Sequence, residues 1–311
     1  FSEANAANLL LWEFSNADDA DMGYSYNLPQ INPFTGQATQ IVKMENNQWA
    51  VIVGNGYNSS GGKAVLYVLF MAGGEDGTWT VGTDYIKLVA DSGTGNGLST
   101  PTPFDKNGNG LVDVIYAGDI KGNLWKFDVS SSTPSSWNVA IGGLPLFVSG
   151  TTKPIISPPA VSFHPKKGQL IMFGTGKYLE TADTTNTSTQ SIYGLWDLNT
   201  PATITAGMLV QQVMTDATVR TATQNQVTYS DTIKGWYINL PVSGERITGV
   251  PMLEDGILLF TTIVPSASPC DFGGRGFANA LDFLTGSMLA FPAFDINRNR
   301  VLSLDDGLSA G

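Results

Sequence analysis

Oxygen-bearing side chains alternate through one short stretch, DKNGNGLVD. Asp105, Asn107, Asn109 and Asp113 occupy loop positions 1, 3, 5 and 9, and Leu111 at position 7 offers its backbone carbonyl. Alternation lets a tightly curled chain turn every second residue to the same side, and Gly108 and Gly110 admit the backbone angles that the curl demands. The donors are all oxygen, which suits a hard cation. Calcium fits better than magnesium, because calcium accepts a large flexible shell of carboxylate, carboxamide and carbonyl oxygens while magnesium holds an octahedral shell that keeps water. The spacing is that of the first half of an EF-hand calcium loop. It breaks at position 12, where Tyr116 replaces the bidentate Glu and Val114 to Ala117 read as strand. Two carboxylates imply an affinity of about 10⁻⁶ to 10⁻³ M. The plainer reading is an Asx-turn hairpin, in which Asn-Gly is a standard ingredient. The spacing favours a hairpin turn that also gathers five donors.

A second loop, DINRNRVLSLDD, has the full spacing: Asp295, Asn297, Asn299, the Val301 carbonyl, Ser303 and Asp306 stand at positions 1, 3, 5, 7, 9 and 12. Position 6 is Arg300 instead of Gly, and Arg298 adds a second positive charge. The expectation is a degenerate loop rather than a filled one, a weak second cation site at most.

Other chemistry lacks its constellation. His164 is the sole histidine and belongs to a turn, SFHPKKG; Cys270 is the sole cysteine, which leaves no internal disulfide and no zinc cluster. Asp18 and Asp19 read as solvent-facing carboxylates. The clusters GNG and GTG lack the Lys-Ser/Thr and helix of a phosphate loop, so they read as hairpin turns. Arg275 lies in an exposed-looking Gly-rich loop, GGRGFAN, that is not an Arg-Gly-Asp motif. A net charge of −11 with pI near 4.4 leaves no basic stripe for nucleic acid, and no apolar run is long enough for membrane insertion as a helix.

The elements that must position these residues are strands. A two-part unit recurs: an apolar run ending in Gly, a polar turn, then a second run rich in aromatics. Its copies are WAVIVGNGYNSSGGKAVLYVLF from Trp49, DVIYAGDIKGNLWKFDV from Asp113, QLIMFGTGKYLE with SIYGLWDL from Gln169, and a degenerate GILLFTTIVP with GGRGFANALDFLTGSM from Gly256. Leading strands precede them, in PQINPF, LSTPTPFD, ISPPAVSFH and RITGVPML, and outer strands such as WTVGTDYIKLV follow. Short runs of β-branched and aromatic residues punctuated by Asn-Gly and Gly-Gly argue hairpins, and four-stranded units repeated along a chain argue a β-propeller. The expected fold is therefore all-β, a modified propeller of about four to five blades with long loop insertions. Blade-like units are expected near residues 24–95, 96–150, 151–215 and 216–294, with an EF-hand-like tail at 295–311. Trp49, Trp125, Trp196 and Trp236 read as staples between strands.

With those motifs in view, the chain resembles the C-terminal propeller domain of the PilY1/PilC family of type IV pilus tip adhesins. The resemblance rests on LLWEFSNADDADMGYSYNLPQI, WAVIVGNGYNS, DKNGNGLVDVIYAGDIKGNLWKFDV, MFGTGKYLE, IYGLWD and TTIVPSASPCDFGG, which together span nearly the whole chain. It implies a quinoprotein-dehydrogenase-like modified propeller without catalytic activity, exported to the bacterial cell surface and the pilus tip, with possible presence at the outer membrane. It also implies association with minor pilins and with a host-cell or abiotic surface receptor. A calcium loop would regulate pilus extension against retraction, surface adhesion and twitching motility, with ligands at Asp105, Asn107, Asn109, Leu111 and Asp113. Cys270 lacks the partner that a family disulfide would need, and the family's propeller begins upstream of FSEANAANLLLWEF. Two other readings stay open. ALDFLTGSML, Ala280 to Leu289, is similar to the blade motif of pyrroloquinoline quinone dehydrogenases, and exposed aromatics such as Tyr24, Tyr26 and Trp79 would suit a glycan-binding propeller.

Overall fold

A computed structural model describes residues 10–28, 30–31, 38–39, 41–199, 202–266 and 274–303. A ribbon pairs β1 (Gln30–Ile31) with β2 (Ala38–Thr39). The first sheet runs in order through β3 (Ile41–Lys43), β4 (Trp49–Gly54), β5 (Ala64–Phe70) and β6 (Tyr85–Asp91), all antiparallel. The second contains β7 (Thr102–Phe104), β8 (Val114–Gly118), β9 (Asn123–Asp128), β10 (Asn138–Val139) and β11 (Phe147–Val148), with β10 and β11 both pairing β9. The third contains β12 (Ala160–Phe163), β13 (Gln169–Gly174), β14 (Ser191–Asp197), β15 (Leu209–Val213) and β16 (Gly235–Asn239). The fourth is β17 (Met252–Glu254), β18 (Ile257–Val264) and β19 (Arg275–Asp282).

The central hairpins β4–β5, β8–β9, β13–β14 and β18–β19 are the recurring unit of the sequence. β5 and β14 are buried at all seven of their positions, so AVLYVLF and SIYGLWD carry no polar alternation. β4 alternates instead, with Ala50, Ile52 and Gly54 buried and Trp49, Val51 and Val53 more open. Helix is nearly absent among the described residues. Ala140–Gly143 is a turn, since Ile141 and Gly142 have φ of 58° and 66°.

The third sheet departs from a simple meander. β15 lies at its edge and pairs β16 in parallel, while β16 pairs β14 antiparallel, so this sheet runs on to Asn239 rather than stopping near 215. A parallel pair needs a crossover, here the chain between Val213 and Gly235, and periodicity within single strands carries no trace of that pairing.

The chain divides into two compact units, Phe1–Asp119 with Trp125–Pro145, and Ile120–Leu124 with Leu146–Gly311. The first is built on Met44, Ile52, Leu66, Val68, Ile115, Phe127 and Trp137. A second cluster in it packs Val65, Tyr67, Leu69 and Tyr85 against Trp12, Phe14 and Trp79. The other unit is built on Leu170, Met172, Trp196, Trp236, Leu258 and Phe260.

Three expectations change here. Trp125, Trp196 and Trp236 are buried, but Trp49 is 54% exposed, because it opens β4 at the register position that Lys43 shares and no described element covers it. Asp18 faces solvent, whereas Asp19 turns inward to Lys87 Nζ at 2.7 Å and accepts from the Tyr85 hydroxyl at 3.0 Å. Burial opposes its ionisation, but those bonds and the Asp21 amide outweigh it and hold the Asp19 carboxyl below its ordinary value. Asp21 joins through Lys87 and Lys63, at 2.7 and 2.9 Å, so two carboxylates and two ammoniums tie the leading segment to the first sheet. Arg275 begins β19 rather than lying in a loop; Cys270 lies outside the described residues.

His164 does sit in a turn, after β12. Its ring packs on Trp196 and Tyr229 at 4.8 and 4.4 Å, and Nδ1 accepts the Lys166 amide at 3.1 Å. Burial and the neighbouring Lys166 push its pKa down, so the neutral imidazole serves as a packing piece.

Candidate metal centre

The loop between β7 and β8 is held at both ends by the sheets. The Asp113 amide donates to Phe104 O at 3.1 Å, and Asp113 O accepts from Val129 N at 3.0 Å. Beside it, the Val112 amide donates to Lys43 O at 3.0 Å, which joins the loop to the first sheet.

Inside the loop the side-chain oxygens form a ladder. Asp105 Oδ1 accepts from the amides of Asn107 and Gly108 at 3.1 and 2.7 Å, and Oδ2 from Gly110 at 2.7 Å. Asn107 Oδ1 accepts from Asn109 N at 3.0 Å, and Asn109 Oδ1 from Leu111 N at 2.8 Å. Asp113 closes the curl, its Oδ2 accepting from Lys106 N at 2.7 Å and its Oδ1 from Asn107 Nδ2 at 3.1 Å. Gly108 and Gly110 have φ of 76° and 85°, which is the left-handed region that the alternation requires.

The structure thus brings Asp105, Asn107, Asn109, Leu111 and Asp113 into one curl of chain. The donor chemistry fits a hard cation: two carboxylates, two carboxamides whose oxygens are oriented by neighbouring amides, and the Leu111 carbonyl, which accepts no hydrogen bond from any described residue. Among the described residues no three His, Cys, Asp or Glu side chains converge, and the loop's own donors include no Cys or His. Glu45 is the nearby acidic residue that loop spacing could not find; its Oε1 accepts from Asn109 Nδ2 at 3.2 Å across 64 positions of sequence.

The second loop repeats the ladder. Asp295 Oδ2 accepts from Arg300 N at 2.8 Å, Asn297 Oδ1 from Asn299 N at 3.0 Å, and Asn299 Oδ1 from Val301 N at 2.7 Å. Arg298 and Arg300 take φ of 61° and 67°, the angles that glycines take in the first loop. Arg at position 6 therefore does not prevent the curl. It strains the backbone by about 1–2 kcal/mol per residue and brings positive charge to a cation loop. Ser303 is the last described residue, and Asp306 lies outside the described residues. Replacing both arginines by glycine is expected to tighten calcium binding at this loop about three- to tenfold, read by calorimetry on a chain whose first loop carries Asp105→Ala.

Packing holds part of the other candidate surfaces. Trp79 stands edge-on to Trp12 and Phe14 at 5.0 and 5.1 Å and is half-buried. Tyr24 is exposed and rests edge-on against Tyr57, and Tyr26 is buried enough to push its hydroxyl pKa up. In ALDFLTGSML, Trp236 Nε1 donates to Phe283 O at 3.0 Å, and a Cβ on Gly286 would collide with the Trp236 ring. That motif seats a core tryptophan.

Successive, mostly antiparallel sheets built on one recurring hairpin, with an oxygen-lined loop leading into a central strand, define a β-propeller domain. The family profile described as the PilY1 beta-propeller domain matches residues 2–230, and the chain belongs to that family. It is 33% identical over 343 residues to the type IV pilus biogenesis factor PilY1 of Pseudomonas aeruginosa, covering 94% of this chain and 28% of the relative. A PilY1 homologue of Xylella fastidiosa is 34% identical over 315 residues, covering 92% of this chain and 20% of the relative. The chain thus spans less than a third of the length of these relatives. The crystal structure of the Pseudomonas aeruginosa PilY1 C-terminal domain superposes with a TM-score of 0.78 at 30% identity, covering 97% of this chain and 68% of that one.

Proposed function

We propose that this chain is the calcium-binding propeller of a type IV pilus tip adhesin and biogenesis factor, located at the bacterial cell surface. Its ion-dependent loop would regulate pilus extension against retraction, and through that surface adhesion and twitching motility. Minor pilins at the pilus tip and a host-cell or abiotic surface receptor are its proposed partners. The observation that carries this reading is the ladder from Asp105 to Asp113, which orients the side-chain oxygens of four residues and leaves the Leu111 carbonyl without a donor among the described residues. Membership of the PilY1 propeller family supports the pilus assignment.

The chain's own residues supply positioning rather than catalysis. Asp105 and Asp113 offer negative charge at the two ends of the curl, and the backbone bonds of Val112 and Asp113 hold those ends against the sheets. A bound calcium would neutralise the two carboxylates and fix the loop ahead of β8. The second loop at Asp295, Asn297, Asn299, Val301, Ser303 and Asp306 is proposed as a weaker site. Asp105→Ala is expected to abolish measurable calcium uptake at the first loop in calorimetry, and cells carrying it in the full-length protein are expected to lose calcium-dependent control of twitching. Uptake equal to the parent's would refute the site, and normal calcium-dependent motility would refute the regulatory role.

A further inference from the structure

We infer that Glu45 is a positioning residue of the calcium loop, and that it couples the loop to the hairpin between β3 and β4. This rests on the calcium reading above and deepens it.

An asparagine can serve a cation only through its oxygen, so its amide nitrogen must find an acceptor on the other side. Asn109 meets both demands across two elements. Its Oδ1 accepts from Leu111 N at 2.8 Å within the loop, and its Nδ2 donates to Glu45 Oε1 at 3.2 Å, outside the loop. Glu45 therefore sets which end of the carboxamide faces the donor cluster. Asn107 is oriented from within, since its Nδ2 donates to Asp113 Oδ1 at 3.1 Å. Asn109 has no such acceptor in its own loop.

Glu45 stands on a rigid support. Met44 is fully buried, its amide donates to Gln48 O at 2.9 Å, and Asn47 N donates to Met44 O at 2.8 Å in a tight turn where Asn47 takes φ of 65°. The same hairpin receives the Val112 amide on Lys43 O at 3.0 Å. Two bonds, one from a side chain and one from the backbone, thus join the loop to the segment Lys43 to Trp49. A residue that orients a ligand without touching the metal commonly changes affinity by about tenfold to a hundredfold when removed. The Glu45 contact is solvent-exposed, which places the expected effect at the lower end.

Coupling makes the hairpin a reporter of the ion. Ordering of the loop would be felt at the amides of Met44, Asn47 and Gln48 and at the exposed Trp49 ring, which neither Asp105 nor Asp113 touches.

The test is calcium calorimetry on the full chain with Glu45→Ala and Glu45→Gln, joined to hydrogen exchange of residues 44–49 with and without calcium. Gln keeps an acceptor oxygen for Asn109 and loses only charge. Glu45→Ala is expected to weaken binding about tenfold and to remove the calcium-induced protection of 44–49, while Glu45→Gln stays within about threefold and keeps the protection. A parent that takes up no calcium overturns the calcium reading itself. A parent that binds, with Glu45→Ala matching it in both affinity and protection, overturns this inference alone. Equal losses for Ala and Gln overturn the orienting bond and leave charge as the cause.

Discussion

Asp113→Asn is expected to weaken calcium binding at the first loop about tenfold to a hundredfold while the sheets stay folded. The backbone of Asp113 is fixed independently of its side chain, through Phe104 O and Val129 N, and the residue is only 4% exposed. Asn has nearly the same volume, so packing is preserved. The carboxylate, however, receives two donors, Lys106 N on Oδ2 and Asn107 Nδ2 on Oδ1. A carboxamide can accept only one of them, and its own NH₂ must face the other. The substitution therefore removes a negative charge and turns one rung of the ladder into a donor–donor clash. Calorimetry reads the affinity and far-ultraviolet circular dichroism the fold. An unchanged dissociation constant would remove Asp113 from the ligand set.

How much of this could be read beforehand follows from the range of each interaction. The donors of the first loop lie within nine residues and are joined by bonds of two to seven positions, so their spacing alone displays them. The central hairpins were legible for the same reason: β4–β5 and β8–β9 each join neighbouring runs across a short Gly-rich turn. Long-range partners left no local mark. Glu45 reaches Asn109 across 64 positions, and Asp19 reaches Lys87 across 68. The parallel pairing of β15 with β16 likewise depends on where a connection of some twenty residues returns. Trp49 misled because composition cannot say which end of a strand a tryptophan opens on. In the second loop the spacing displayed the donors, but not that Arg298 and Arg300 accept the left-handed backbone at a modest cost where the first loop has glycines.

Arg220→Met is expected to destabilise the chain by about 3–5 kcal/mol, a larger effect than any loop substitution. Arg220 and Glu245 are both fully buried, and they meet as a two-pronged pair, Nη1 to Oε1 at 2.6 Å and Nη2 to Oε2 at 3.0 Å. The guanidinium also lies over the Phe277 ring at 3.3 Å, and the Thr262 hydroxyl and Val242 amide donate to the same carboxylate. Removing Arg220 leaves a buried carboxylate with those two neutral donors and no counter-charge, a condition far more costly than the loss of one surface ion pair. The double substitution Arg220→Met with Glu245→Met removes both charges, so it is expected to regain much of the loss. The recovery will be incomplete, because Val242 N and the Thr262 hydroxyl lose their acceptor. Urea midpoints of the two single and the double variants separate these terms. Additive losses would mean that the pair is not coupled. The adjacent Arg246 shows why the position matters: its guanidinium donates to the carbonyls of Lys177, Asp183, Asn186 and Gly244, while its backbone pairs with Ile263. Two neighbouring charges thus anchor separate loops to β18, one through a buried carboxylate and one through carbonyls, and only the first leaves an unpaired charge behind when its partner is cut.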